Sequence, residues 1–171
     1  MLVAPPADGT VSPVKLWRQP SPFGAVTVVV SERGVREISL PGDDEPNGDL
    51  GRPDRRVARQ LADWFAGTRH AFDVDVDLDG LDGFRRDVLE VLVREVGWGE
   101  IVTYGELADL AGRPRAARAA GSAMRDNPVP FVIPCHRVIA AGGRIGGYGG
   151  GRHAIDLKRT LLAREGVTAI R

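Results

Sequence analysis

The chain has 171 residues, of which 43% are hydrophobic and 27% charged, with no net formal charge and a single cysteine, Cys135. One compact domain or two small ones fit that length. The lone cysteine excludes an internal disulfide and a multi-cysteine zinc site, and no apolar run approaches the ~20 residues that a membrane helix needs. Met1–Thr10 shows no basic region followed by an apolar stretch, so no secretory signal is expected and the cytoplasm is the expected compartment.

The charge is unevenly spread. Residues 1–80 carry 9 basic and 13 acidic side chains, whereas residues 81–171 carry 14 and 10. Between Ala111 and Ile155 there are seven arginines and one acid, Asp126. A GC-rich genome explains why arginine is used in place of lysine. It does not explain the scarcity of acids, and arginine suits bidentate contacts to phosphate.

In chain order, Val14–Trp17 and Ala25–Ser31 read as strands around a Ser21-Pro22-Phe23-Gly24 turn, and Val35–Leu40 as a third. Pro41–Pro53 is a polar loop. Asp54 caps a helix running to about Phe65, with Val57, Leu61, Trp64 and Phe65 at helical spacing and Gly67 at its end. Phe72–Leu78 alternates strictly, which predicts a half-exposed strand with an acidic outer face. The character changes near residues 79–82. The stripe Phe84, Val88, Leu89, Leu92, Val93, Val96 predicts a helix from Gly83 to Val96. Thr103-Tyr104-Gly105-Glu106 is a capping box that opens a helix to Leu110. Gly112-Arg113-Pro114 breaks it, and a second helix is predicted from Pro114 to Arg125, stopped by Asn127-Pro128. This is the helix-turn-helix pattern, with the second helix in the recognition position. That helix is almost all small residues plus Arg115, Arg118 and Arg125. Small side chains serve close approach to another surface and tight helix packing equally well. A last helix is predicted from a cap at Asp156, through Leu157, Leu161 and Leu162, to Glu165.

The densest chemistry lies at Asn127–Val138. Three prolines in eight residues stiffen the backbone, and Phe131, Val132 and Ile133 predict a buried passage. A lone cysteine there is readily a small core hydrophobe. Its neighbours favour chemistry: a thiol with a pKa of about 8.5 is a nucleophile only as thiolate, and His136 offers a base, directly or through a water, beside the positive Arg137. The histidine needs an orienting group, for which Glu165 is the candidate. Gly142–Gly151 holds seven glycines around Tyr148, a loop whose backbone can approach a planar ligand.

Pro134-Cys135-His136-Arg137-Val138 resembles the active-site signature of the O6-alkylguanine-DNA alkyltransferases. The likeness extends to Val102–Ala108, Arg115–Ala119, Asn127–Pro130, the Tyr148 loop and Lys158–Glu165, in the family's order from about Phe84 to Gly166. The first half of the chain matches only in size and strand–helix make-up. The resemblance implies an α/β (α+β) chain with a small structural strand–helix domain (1–79) and a mainly helical DNA-binding and alkyl-acceptor domain (80–171). It implies that Cys135 accepts the alkyl group, with His136 as water-mediated base and Glu165 orienting it. Asn127 would hold the turn, and Tyr104 would turn the target phosphate and protonate guanine N3. Arg118 would fill the gap left by the flipped base. Ala116, Ala117, Gly121, Arg115 and Arg125 would meet DNA, while Tyr148, Gly149, Pro134 and Val138 would line the pocket. The implied partner is double-stranded DNA containing O6-alkylguanine, met by a monomer, with O4-alkylthymine and cooperativity left open.

Two departures stand out. Arg152–Leu157 is longer than the family's connection, so an enlarged pocket loop is expected there. Zinc-holding relatives use N-terminal cysteine and histidine, but the only other histidines here are His70 and His153, so no metal and no cofactor are expected. Three rivals remain: a lesion sensor, which Cys135 opposes; a helix-turn-helix regulator, which leaves Pro134–Arg137 unexplained; and a cysteine hydrolase, which predicts turnover.

Overall fold

The computed structural model describes residues 14–43, 48–81, 83–149 and 152–171, with Arg152 and His153 described by their backbone alone. The chain divides into two compact units, residues 1–80 and 81–171. The expectations for Met1–Thr10, for part of the Pro41–Pro53 loop and for Gly150 and Gly151 lie outside the described residues.

In the first unit β1 (Lys15–Gln19), β2 (Val26–Ser31) and β3 (Gly34–Ser39) form an antiparallel sheet in the order β1-β2-β3. The central β2 is buried at all six positions, which is why its valine run does not alternate. Helix α1 (Arg55–Phe65) starts where Asp54 accepts from the backbone N–H groups of Arg56 and Val57. It buries Leu61 and Trp64, and Trp64 meets Phe65 edge-on.

The predicted strand Phe72–Leu78 does not form. It touches β3 by a single parallel bridge, Val35 to Val76. The reason is competition for backbone groups: the Gln60 amide accepts from Asp73 N–H at 2.8 Å and donates to Asp73 C=O at 3.0 Å, which removes that residue from any ladder. The acidic face is also interrupted. Asp77 is buried, accepts from the Ser31 hydroxyl at 2.6 Å and lies 3.6 Å from the Arg33 guanidinium. The segment approaches β3 so closely that a Cβ at Gly34 would stand 2.2 Å from Asp75 C=O, and Gly34 has φ +134°. Only glycine fits there.

The second unit contains α2 (Gly83–Glu95), β4 (Val102–Thr103), α3 (Tyr104–Leu110), α4 (Ala117–Arg125), β5 (Val138–Ile139) and α5 (Arg152–Arg164). The α2 stripe is rotated from the prediction: Val88, Leu89, Val91 and Leu92 are buried and Val93 is half exposed. The capping box forms, with Glu106 N–H donating to Thr103 Oγ1 at 3.2 Å and Thr103 N–H to Glu106 Oε2 at 2.8 Å. Helix α4 begins at Ala117, not Pro114, because Arg115 adopts φ +69°, a left-handed conformation no α-helix accommodates. Helices α2, α3 and α4 pack on one another.

Asp156 is not a cap. Helix α5 already runs from Arg152, so Arg152–Leu157 is helix rather than enlarged loop. Ile155 instead packs on a cluster of Ile139, Ile145 and Leu162. The parallel pair β4–β5, with Val102 opposite Val138, decides the site's position. It sets the start of α3 beside the short 3-10 turn Cys135–Arg137, which immediately precedes β5.

Candidate active site

Residues Val129–Ile139 are buried without a break. Asn127 holds this passage at both ends, accepting from Val129 N–H at 3.0 Å and donating to Ile133 C=O at 2.9 Å. Cys135 opens the 3-10 turn and is 4% exposed. Burial pushes its thiol above the ordinary range; hydrogen bonds from Asn127 and Tyr148 and the nearby Lys158 charge pull the other way without prevailing. The resting residue is therefore a protonated thiol, which needs a base before it can act as a nucleophile.

The candidate base is adjacent in sequence but turned inward. His136 is fully buried, with Nε2 2.8 Å from Glu165 Oε1. Burial lowers its pKa and outweighs the stabilising Glu165 contact, so the ring is neutral at physiological pH. Burial also opposes ionisation of Glu165. Donors from His136 and Arg137 overcome it and hold that carboxyl at about 2. Arg137 donates from Nε to Glu165 Oε2 at 2.8 Å and from Nη2 to Oε1 at 3.0 Å, the fork geometry in which arginine binds carboxylate most strongly. The arginine thus serves Glu165; it does not face open solvent beside the thiol.

Lys158 is also fully buried. Its ammonium donates to Val138 C=O at 2.6 Å and to Gly147 C=O at 3.0 Å, and lies 5.7 Å and 6.0 Å from the ring centres of Tyr104 and Tyr148. Burial lowers its pKa to about 8. The Tyr104 hydroxyl donates to the same Gly147 carbonyl at 3.1 Å, and burial raises its pKa. Above these groups opens a cleft of about 530 Å³ lined by Tyr104, Arg118, Gly121, Met124, Tyr148 and Gly149, among others, within the range of small-molecule sites. Gly146 has φ +72°, and a Cβ on it would stand 3.1 Å from the Tyr104 ring.

The structure brings together most of the sequence-predicted residues. Tyr104, Ala117, Arg118, Gly121, Arg125, Tyr148 and Gly149 line the cleft. Cys135, His136 and Glu165 form a buried cluster, with the half-buried Asn127 hydrogen-bonded near the thiol. Ala116 and Arg115 precede α4 and do not line the cleft. Pro134 and Val138 are buried outside its lining; Val138 contributes its carbonyl to Lys158. Sequence reasoning undervalues two residues. It reads Arg137 as local positive potential, and Lys158 only as part of a matching segment. A signal exists for both: a cation inside an apolar stretch requires a buried acceptor.

The family model for the DNA-binding domain of 6-O-methylguanine DNA methyltransferase matches residues 83–167. A methylated-DNA–protein-cysteine methyltransferase of Rattus norvegicus is 40% identical over 86% of this chain and 79% of its own. One from Methanosarcina acetivorans is 36% identical over 85% and 94%. Among solved structures, Mycobacterium tuberculosis OGT in complex with DNA superposes with a TM-score of 0.80, at 36% identity over 92% of this chain and 95% of that one.

Proposed function

The chain belongs to the methylated-DNA–protein-cysteine methyltransferase family, and from that premise we propose that it repairs DNA directly, moving the alkyl group of O6-alkylguanine to Cys135 once per molecule. The observation that carries this reading is a buried thiol next in sequence to a buried histidine whose Nε2 lies 2.8 Å from Glu165 Oε1, together with a cleft walled by two tyrosines and an arginine-bearing helix.

The chemistry is a displacement at carbon. His136, through a water, takes the Cys135 proton. The sulfur forms a bond to the alkyl carbon as the carbon–O6 bond breaks. Tyr104 supplies a proton to guanine at N3. The product thioether is stable, so the protein is consumed, and no cofactor takes part. Rigid placement lowers the barrier, and the Asn127 turn supplies it. A base inside a duplex is inaccessible, so the nucleotide is extruded at a cost of roughly a few kcal/mol, lessened by the damage itself. Arg118 on α4 fills the vacated space from the minor groove, and the small residues around it permit close approach. Tyr104 must exchange its Gly147 contact for the substrate. Lys158 keeps that carbonyl in place meanwhile.

Intact-protein mass after incubation with excess duplex carrying one O6-methylguanine tests the proposal. A gain of one methyl group, saturating at one per chain on Cys135, is the expected result. Unchanged mass despite tight DNA binding would make the protein a sensor, and continuing turnover would make it a hydrolase.

A further inference from the structure

We infer that Arg137 is a positioning residue that sets the tautomer of His136, keeping the ring proton on Nε2 so that Nδ1 is the nitrogen able to accept a proton. The inference concerns the same site, and its rate consequence rests on the alkyl-transfer reading. The geometry stands apart from that reading.

Among the described residues, four groups meet the Glu165 carboxylate. His136 Nε2 and Arg137 Nη2 face Oε1 at 2.8 Å and 3.0 Å; Arg137 Nε and Gly99 N–H face Oε2 at 2.8 Å and 3.2 Å. Three of the four are obligate donors, since a guanidinium and a backbone amide accept nothing. A protonated Glu165 would therefore have only His136 Nε2 to give its proton to. Two arrangements follow. Either Glu165 is an anion and Nε2 carries a hydrogen, or Glu165 is an acid, Nε2 is a bare acceptor and the hydrogen sits on Nδ1.

Arg137 selects between them. It is itself buried, at 6% exposure, and its third contact, from Nη1 to Val96 C=O at 2.8 Å, leaves it no solvent partner to fall back on. Neutralising Glu165 would strand a buried guanidinium, the costliest outcome for an ion pair. Every element around the ring points the same way. Cys135 and Arg137 come from the 3-10 turn, Lys158 and Glu165 from α5 and its end, and Gly99 from the loop after α2. Lys158 adds a second cation that disfavours imidazolium. Gly99 has φ +78°, and a Cβ there would stand 3.0 Å from Glu165 C=O, so its amide reaches Oε2 only because it is glycine. A buried ion pair is weak evidence for stability alone; here it fixes which ring nitrogen is basic.

Nitrogen-15 NMR of the full chain labelled at histidine reads the tautomer directly, with His136 assigned by its loss in His136→Gln. The expected spectrum between about pH 6 and 8 shows a protonated Nε2 and an unprotonated Nδ1. A protonated Nδ1, or imidazolium at neutral pH, would overturn the inference. Glu165→Gln sharpens the test. Arg137 and Gly99 hold the amide oxygen, so the amide NH2 faces Nε2 and the proton moves to Nδ1. The single-turnover rate then drops on the order of a hundredfold while duplex affinity stays as it was. Retention of Nε2–H in a folded Glu165→Gln chain would also overturn the inference. Arg137→Gln, which removes the cation, is expected to show both tautomers; a wild-type spectrum and rate in that folded variant would reduce Arg137 to a structural role. Because the spectra need no DNA, a correct tautomer without any mass gain would sink the alkyl-transfer reading and leave this one standing.

Discussion

The two units bury polar groups for different ends. In residues 1–80, Ser31, Gln60 and Asp77 direct their hydrogen bonds to neighbouring backbone or to one another, and what they achieve is placement of the 72–78 segment. In residues 81–171, His136, Arg137, Lys158 and Glu165 are all buried, and with them Cys135. Each buried ion costs several kcal/mol of desolvation before pairing offsets it. A chain that needed only a core would gain as much from hydrophobic side chains of similar volume. The contrast separates polar burial that serves architecture from polar burial that the proposed reaction uses, and substitutions in the two units should divide accordingly.

The largest effect expected is at Cys135. Cys135→Ser should abolish the mass gain while leaving duplex affinity, measured by fluorescence anisotropy, unchanged. Loss of both would tie the thiol to folding and dissolve the distinction. Next, Arg118→Ala should slow repair within a duplex by tenfold or more, about 1.4 kcal/mol, yet leave reaction with a free O6-alkylguanine analogue nearly intact. Equal losses on the two substrates, compared by quenched-flow kinetics, would remove Arg118 from the base-flipping role.

The same division should appear in acid. His136, lowered by burial, stays neutral when folded and takes up a proton more readily when unfolded, so stability falls as pH drops below the ordinary histidine value of 6.5. Glu165 is held at about 2 against a usual 4.5. Its contribution is complete above 4.5 and is lost as pH falls toward 2. Urea denaturation across that window should show a steep decline in the wild type and a shallower one in Glu165→Gln. Parallel curves would contradict the buried carboxylate. In the alkaline direction Lys158, lowered to about 8 from 10.5, binds fewer protons folded than unfolded. Stability should therefore rise from pH 8 upward in a Cys135→Ser background, where the raised thiol no longer opposes it.

The smallest effect on transfer is expected in the first unit. Leu61 is fully buried in α1, and Leu61→Ala should cost about 2–5 kcal/mol of stability with no change in single-turnover rate below the melting temperature. A slower rate in the folded variant would give that unit a direct part in repair.

Much of the site was legible because its signals are local. The Thr103–Glu106 capping box, the Asp54 cap and the apolar spacing of α1 all lie within a few residues, and backbone hydrogen bonding realises them where they are written. Cys135 and His136 are adjacent among rigid prolines, and both are buried in the turn that the prolines lead into. A local pattern misleads where it meets a distant competitor. The alternation of Phe72–Leu78 could not reveal that Gln60 would take its backbone groups. The small residues before Ala117 could not reveal that Arg115 would turn left-handed.

The amino-acid order alone carries the change of character near residues 79–82, the single thiol and the Thr103–Glu106 cap, since composition, periodicity and capping act within one or two turns. Packing between distant elements brings Arg137 to Glu165 across 28 positions, lets Lys158 share the Gly147 carbonyl with Tyr104, and makes Arg152–Leu157 part of a helix in place of a loop. The physical reason is that a buried charge is tolerable only where an acceptor from another element arrives to meet it, and that meeting depends on which surfaces pack together.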